Sequence, residues 1–286
     1  MPKLPYLNLG CGYRFHNEWT NIDFTSTGEG VIAHNLLQPF PFENDSFEVV
    51  YHSHVLEHIP SNKAKAFINE CFRVLKPNGI IRIAVPDLEQ IAKNYTSSLN
   101  QVLLDPTDIY KQSRYDWNML EMYDQAVRNT SGGEMMRYLC RNEIDKEYII
   151  QRCGQEVIDI LNKLQKHPIS YDIDMPKIEK INYIKEIYRL IKYPQKRERL
   201  IKILLGHEYE ALKIGRFRLG GEIHQWMYDR YSISNLLTNC GFSNFTVKTA
   251  YESNIPEWNK YKLEVTNDNK VNKPDSLFVE AFKKII

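Results

Sequence analysis

The chain has no C-x-x-C spacing anywhere in its 286 residues. Its five cysteines, Cys11, Cys71, Cys140, Cys153 and Cys240, are scattered and odd in number, so we expect reduced thiols in a cytoplasmic protein. Long apolar runs are missing too. No stretch reaches the roughly 18 residues that a transmembrane helix requires. The N-terminus enters a β-rich run within a few residues, which leaves no room for a signal peptide. The formal net charge is only +1, so nothing draws the chain as a whole to nucleic acid. Repeats and low-complexity tracts are absent. What remains, 43% hydrophobic and 26% charged, is ordinary for a soluble globular protein of one elaborated domain or two small ones.

Charge is uneven beneath that near-zero total. From Lys177 to Arg218 twelve Lys and Arg face five Asp and Glu, a local net of +7 that leaves about −6 on the remainder. Such a run is either a solvated helical face or a surface toward an anionic substrate or membrane.

Glycines are few, and two of them are telling. "YLNLGCGYRFHNEWTNIDF" opens as an apolar strand, turns through Gly10 and Gly12, and ends at Asp23. Glycines at a strand's carboxyl end let the backbone approach a ligand where open α/β sheets bind one. A carboxylate at the next strand tip can accept both hydroxyls of a ribose. A third glycine is lacking: Arg14 and Phe15 stand where a G-x-G-x-x-G pattern would place it. The interval to Asp23 is also too short for a crossover helix, which needs about 10–12 residues in all. A nicotinamide oxidoreductase is therefore disfavoured.

Three β-rich runs, 4–9, 47–53 and 79–86, are recognisable, the last bounded by "KPNG" and Pro86. Between the second and third, apolar residues at Ala64, Phe67, Ile68, Cys71, Phe72 and Leu75 fall at gaps of three and four and predict an amphipathic helix capped by Ser61 or Asn62. This is a βαβ unit of a parallel sheet. Near the C-terminus a short helix from Ser232 to a C′ glycine, Gly241, precedes two expected edge strands, "NFTVKTAY" and "SLFVEAFKK", joined by a hairpin loop holding Pro256. Residues 88–219 read as helical, with Val157, Ile158, Leu161 and Leu164 on one helix. Ile178, Ile181, Ile184, Ile187, Tyr188 and Ile191 lie on another, and Pro168, Pro176 and Pro194 punctuate them. An insertion of that length is too long for a loop. We expect a core of 1–88 and 220–286, with 89–219 as a helical lid that recognises substrate.

The ordered motifs resemble the class I S-adenosylmethionine-dependent methyltransferases, of the type 11 kind. "LNLGCG" looks like their first motif and "NID" like their ribose-binding end. "HNLLQPFPFENDSFEVVYHSHVLEHI", "FRVLKPNGIIRIAVPDLE" and the tail "GEIHQWMYDRYSISNLLTNCGF" with "SLFVEAFKK" are similar to later ones. The likeness covers roughly 4–88 and 220–284; the tail resembles a subgroup associated with sugar and surface-glycan methylation. It implies a Rossmann-like, mostly parallel seven-stranded α/β sheet with S-adenosyl-L-methionine as cofactor. By the same resemblance Asn8, Gly10, Cys11 and Gly12 would line the methionine moiety and Asp23 the ribose. Asn35 and Leu36 stand where the adenine contact falls, with Asn in place of the family's Asp, and Ser53 and His54 would border sulfonium and acceptor.

"HSHVLEHIP" is the densest chemical cluster. His54, Glu57 and His58 follow the H-x-x-E-H order of inverted zinc peptidases, but Pro60 denies the long helix such a site needs. Some methyltransferases of this class carry E-x-x-E-H here and bind a divalent ion that grips acceptor hydroxyls. His54 replaces the first Glu, a softer ligand than Mg²⁺ prefers, so no metal is assigned; the alternative set is His54, Glu57 and His58. Methyl transfer to a hydroxyl is helped by a general base, and histidine suits that at neutral pH. His54 is the first candidate and His224, in "GEIHQWMYD", the second.

In the insertion, "SRYDWNMLEMY" offers aromatic faces to sugars and "GRFRLGG" arginines to carboxylate or phosphate. The Ile178–Tyr193 helix, basic on one side, would suit an anionic membrane; its isoleucines equally suit a lid core. The expected function is methylation of oxygen, in preference to nitrogen, on a small or saccharide acceptor, anionic if the basic run faces it. The alternative is a non-catalytic S-adenosylmethionine-binding partner or regulator of glycan biosynthesis. Acceptor identity and oligomeric state are not legible.

Overall fold

The structure, a computed structural model, describes residues 3–166 and 194–284. The expected Ile178–Tyr193 helix, with Pro168 and Pro176, lies outside the described residues.

Seven strands form one sheet: β1 (Tyr6–Leu9), β2 (Thr20–Asp23), β3 (Val31–Ala33), β4 (Phe47–Ser53), β5 (Leu75–Pro86), β6 (Phe242–Lys248) and β7 (Ser276–Lys283). Their order is β3-β2-β1-β4-β5-β7-β6. The first five strands run parallel, and β7 is antiparallel to both β5 and β6. The sheet is thus mostly parallel and Rossmann-like. β1 lies between β2 and β4, so connections leave it in opposite directions and open a crevice at its carboxyl end.

No helix joins β1 to β2. Two buried asparagines do the work instead: Asn21 Nδ2 donates to the carbonyls of His16 and Trp19, and Asn8 Nδ2 donates to Arg14 O and Asn21 Oδ1. The loop's carbonyls are thereby satisfied without helical turns.

Helix α1 (Ser61–Val74) buries Ala64, Phe67, Ile68, Cys71 and Val74 against the sheet. Its cap differs from expectation. Pro60 is the N-cap and supplies no side-chain acceptor, while Ser61 is already the first helical residue. β5 also begins earlier than residue 79: Leu75 pairs with Phe47, then Ile80 with Val49, so "KPNG" bulges out within the strand. Asn78, with φ of +62°, makes the turn.

Alternate strand residues divide two cores, as the pleat requires. Leu7, Leu9, Val50, Ile81 and Ile83 pack with α1, whereas Tyr6, Val49, Tyr51 and Ile80 pack with Trp19, Trp258, Tyr261 and Leu263. On the second face Arg82 is fully buried. It donates to Glu280 at 2.8 Å, to Glu264, and to the carbonyls of Thr249 and Glu252 at 2.9 Å, with Trp258 stacked 4.3 Å away. This cluster fastens the β6–β7 connection to the sheet.

That connection is a loop containing Pro256, as expected, but only β6 is an edge strand; β7 lies inside the sheet. The helix before β6 spans Arg230–Thr238 and is capped reciprocally by Asp229 and Ser232. It therefore begins before Ser232, and Gly241, at φ of +94°, sits two residues past its C-cap Asn239.

Residues 88–219 contribute α2 (Leu88–Leu104), α3 (Ile109–Val127), α4 (Gly133–Leu139), α5 (Lys146–Cys153), α6 (Gln155–Lys166), α7 (Pro194–Leu205) and α8 (Glu208–Leu219). The helix carrying Asp229 and Ser232 is α9. Two side-chain groups here behave differently from expectation. Trp117 is buried and donates to Glu121 at 3.0 Å, so its face is spent on the insertion's own core. Arg216 pairs with Glu198 at 2.6 Å, and Arg218 donates to the last carbonyls of α3, so neither arginine stands free for an anion. Among the described residues no helix is long and apolar enough to cross a membrane.

Candidate active site

Gly10 and Gly12 turn the chain away from β1 with φ of +62° and +52°. A Cβ on Gly10 would overlap the side chain of Val55, which follows β4, so this position admits glycine alone. A Cβ on Gly12 would meet nothing within 4 Å: the backbone there faces open space. Gly12 N–H donates to Asp23 Oδ2 at 2.7 Å, and Thr27 Oγ1 donates to Gly12 O. The glycine turn and the acid at the tip of β2 are thus one hydrogen-bonded unit. A carboxylate has about four acceptor sites, so Asp23 retains capacity for a ligand hydroxyl.

His54 leaves the tip of β4 with φ of +54°, a conformation that costs a non-glycine residue on the order of 1–3 kcal/mol and must be held by its surroundings. Its N–H donates to Ala84 O at 2.9 Å. Its ring is gripped on both sides: Nε2 lies 2.8 Å from Ser276 Oγ at the start of β7, and Nδ1 lies 3.0 Å from Glu57 Oε1.

Glu57 is fully buried; His54 Nδ1, 3.0 Å from Oε1, is its nearest side-chain partner, and Oε2 accepts no hydrogen bond. Burial alone would raise this carboxyl, but the His54 ring, with His58 and His224 beyond it, outweighs burial and brings it down to about 2. Burial pushes His224 down to about 3 and His52, fully enclosed against Phe67, down to about 4. Both rings are neutral at physiological pH.

A cavity of about 260 Å³ lies at this crevice. Of the residues expected from sequence, Asn8, Gly10, Cys11, Gly12, Ser53 and His54 line it; Asp23, Asn35, Leu36 and His224 do not. Cys11 is pushed up to about 11, by burial first and the Asp23 charge second, and so remains a neutral thiol. Asn35 turns its side chain inward on its own loop, accepting from Leu37 N at 3.0 Å, and Leu36 packs against the core. His224 is buried beside His58, with ring centroids 4.9 Å apart. The metal-ligating atoms that converge are therefore those of Glu57, His58 and His224, all within 4.8 Å of one another; His54 is outside that cluster.

Several lining residues gave no local signal. Ser276 and Lys273 approach from the β7 side, and Glu156 from the start of α6, where it pairs with Lys273 at 2.8 Å. Gly154 is pressed against Val271, Asn272 and Pro274 so tightly that any Cβ would clash, and this contact brings the insertion to the cavity wall. Arg14 also lines the cavity, while Tyr13 and Phe24 stand exposed at the tips of β1 and β2.

Residues 7–83 match the model of the methyltransferase domain family, a span that contains the glycine turn, Asp23, His54 and Glu57. No curated protein matches the chain. Among solved structures, a possible histamine N-methyltransferase from Thermotoga maritima aligns at 9% identity over 99% of this chain and 84% of its own, with a TM-score of 0.39. A methyltransferase from Methanosarcina mazei aligns at 16% identity over 98% and 92%, with a TM-score of 0.37. A 4+2 cyclase aligns at 17% identity over 29% of this chain and 39% of its own, with a TM-score of 0.24. Superpositions at these scores bear on neither fold nor substrate, and the assignment stands on the domain match and the geometry. With that match, the 3-2-1-4-5-7-6 strand order and the Gly12–Asp23 unit, the chain is similar over residues 7–83 to the methyltransferase domain family, and S-adenosylmethionine is the cofactor that this likeness implies.

Proposed function

We propose that the protein methylates a hydroxyl oxygen of a small or saccharide acceptor, with His54 as general base. The observation that carries this reading is the 2.8 Å contact between His54 Nε2 and Ser276 Oγ at the cavity wall: this imidazole already engages a hydroxyl oxygen. The adjacent Glu57 carboxylate favours the tautomer with hydrogen on Nδ1, leaving the Nε2 lone pair for the hydroxyl. An acceptor hydroxyl taking the place of Ser276 Oγ would give its proton to Nε2 as its oxygen attacks.

The residues present suit the cofactor. Gly12 offers an unobstructed backbone and Asp23 a carboxylate for the ribose, while the exposed rings of Tyr13 and Phe24 flank the tips where a nucleoside would lie. Ligand sites for drug-sized molecules run from about 300 Å³ upward, so the cavity of about 260 Å³ suits the methionine end and part of an acceptor, with the nucleoside on the open tips. Bound there, S-adenosylmethionine supplies an electrophilic methyl group on a sulfonium. The protein's part is to orient the acceptor and remove its proton. Asn8, Arg14, Tyr51, Asn272 and Lys273 give the wall a polar character that suits a hydroxyl-rich acceptor, and Arg14 would receive an anionic one, Lys273 being paired with Glu156. Glu156 makes the insertion a contributor to acceptor recognition, which is the sense in which we read it as a lid. Nothing observed favours the non-catalytic alternative.

Turnover to S-adenosylhomocysteine across a panel of sugars, phosphosugars and phenols tests this reading. His54→Gln is expected to lower kcat by about 10²–10⁴-fold, the usual contribution of a general base, with product affinity retained. Methylation of amines alone, or turnover indifferent to His54, would contradict it.

A further inference from the structure

We propose that Glu57, His58 and His224 form a binding site for one transition-metal dication, with zinc as the fitting ion, set behind the cavity wall rather than in it. None of the three lines the cavity, so this ion would not touch the acceptor. It would brace the loop that presents His54.

Four observations converge. First, the donors are available. Glu57 Oε2 and His224 Nδ1 are buried and have no hydrogen-bond partner, and Glu57 Oε1 has only His54 Nδ1 at 3.0 Å. A buried carboxylate with most of its acceptor sites unused is costly, and the usual remedies are further partners or a metal. Second, His58 is prepared in the manner of a ligand. Its Nδ1 lies 3.1 Å from Ile223 O, which fixes the hydrogen on that nitrogen and leaves the Nε2 lone pair 4.0 Å from Glu57 Oε1. Third, the backbone holds the three together. Glu57 O accepts from Gln225 N at 2.7 Å and Trp226 N at 3.2 Å, and His224 N–H donates to Gln125 O at 2.9 Å. A turn after β4, the segment before α9 and the end of α3 are thereby pinned at one point. Fourth, the geometry is close to ligation. The donor atoms lie within 4.8 Å of one another. At zinc bond lengths of about 2.1 Å each would have to move inward by no more than roughly 0.7 Å.

The chemistry selects the ion. Two neutral imidazoles and one carboxylate suit zinc and its first-row neighbours, whereas magnesium and calcium prefer all-oxygen sets. The cationic side chain acting on His224 is Arg128, and Glu222 pairs with it at 3.2 Å. The buried phenol of Tyr228, also without a partner, is a further polar group close enough to feel the Glu57 charge. The second convergent group, Glu121, Cys153 and Asp275, lacks this character because Arg152 already satisfies Glu121 at 3.0 Å.

The full chain, stripped with EDTA, is titrated with Zn²⁺ against a chromophoric chelator, and its melting temperature is followed with and without zinc. The expected result is one zinc per chain and a zinc-dependent rise in melting temperature. His58→Asn and His224→Gln are each expected to weaken binding at least about tenfold, and His54→Gln to leave it within a factor of a few. His58 is partly exposed, so His58→Asn is expected to fold, and it decides the matter if His224→Gln does not. A wild-type chain that takes up no zinc, or zinc binding that survives His58→Asn, overturns the proposal. Loss through His54→Gln equal to that through His58→Asn overturns the ligand set.

Discussion

Val55 closes over Gly10 so tightly that the tips of β1 and β4 meet through a glycine α-carbon and a valine methyl. The methionine end of the cofactor site and the loop bearing the proposed base are therefore positioned by one contact. Gly10→Ala adds this clash to a positive-φ penalty, whereas Gly12→Ala meets open space and incurs the φ penalty alone, on the order of 1 kcal/mol. Urea unfolding should show Gly10→Ala as the more destabilised by at least about 1–2 kcal/mol. Equal losses would mean that the contact does not constrain the tips.

Acid should erode stability through His52. Burial lowers its pKa in the fold to about 4 from the ordinary 6.5, so between those values the unfolded chain binds more protons. The contribution is fully present above pH 6.5 and is lost as pH falls toward 4. By pH 5 roughly 2 kcal/mol should be gone by linkage. Urea midpoints for His52→Leu should change less between pH 7 and pH 5 than those of the wild type. An identical pH response would assign the acid sensitivity to other groups.

Arg82 joins two carboxylates in a fully buried cluster, and removing one partner of a buried pair leaves uncompensated charge. Arg82→Met should cost about 3–5 kcal/mol of unfolding free energy. Lys76→Ala, which removes an exposed pair with Glu48, should cost no more than about 1 kcal/mol.

The sequence disclosed elements whose signal is local. The three-and-four spacing of Ala64, Phe67, Ile68 and Cys71 marked α1, and the shortness of 10–19 excluded a first crossover helix. The place of β7 was not legible, because "SLFVEAFKK" carries the same pattern whether a strand is inside a sheet or at its edge; the Arg82 cluster and the pairing with β5 place it inside. The site divides in the same way. Gly10, Gly12 and Asp23 are neighbours in sequence and in space. Ser276 reaches His54 across 222 positions, and His224 meets His58 only because the chain returns from the insertion, a meeting no local spacing encodes. The Trp117 and Arg218 expectations failed for a related reason: a residue type suited to ligands is equally suited to a helical core or a helix end.

The central claim is the nucleoside-bearing cofactor on the Gly12–Asp23 unit, and calorimetry with S-adenosylhomocysteine tests it most directly. The account predicts saturable binding at one site per chain, weakened at least about tenfold by Asp23→Ala, the scale of a lost hydrogen bond to a charged group. Absence of binding at millimolar ligand, or affinity indifferent to Asp23, would contradict it.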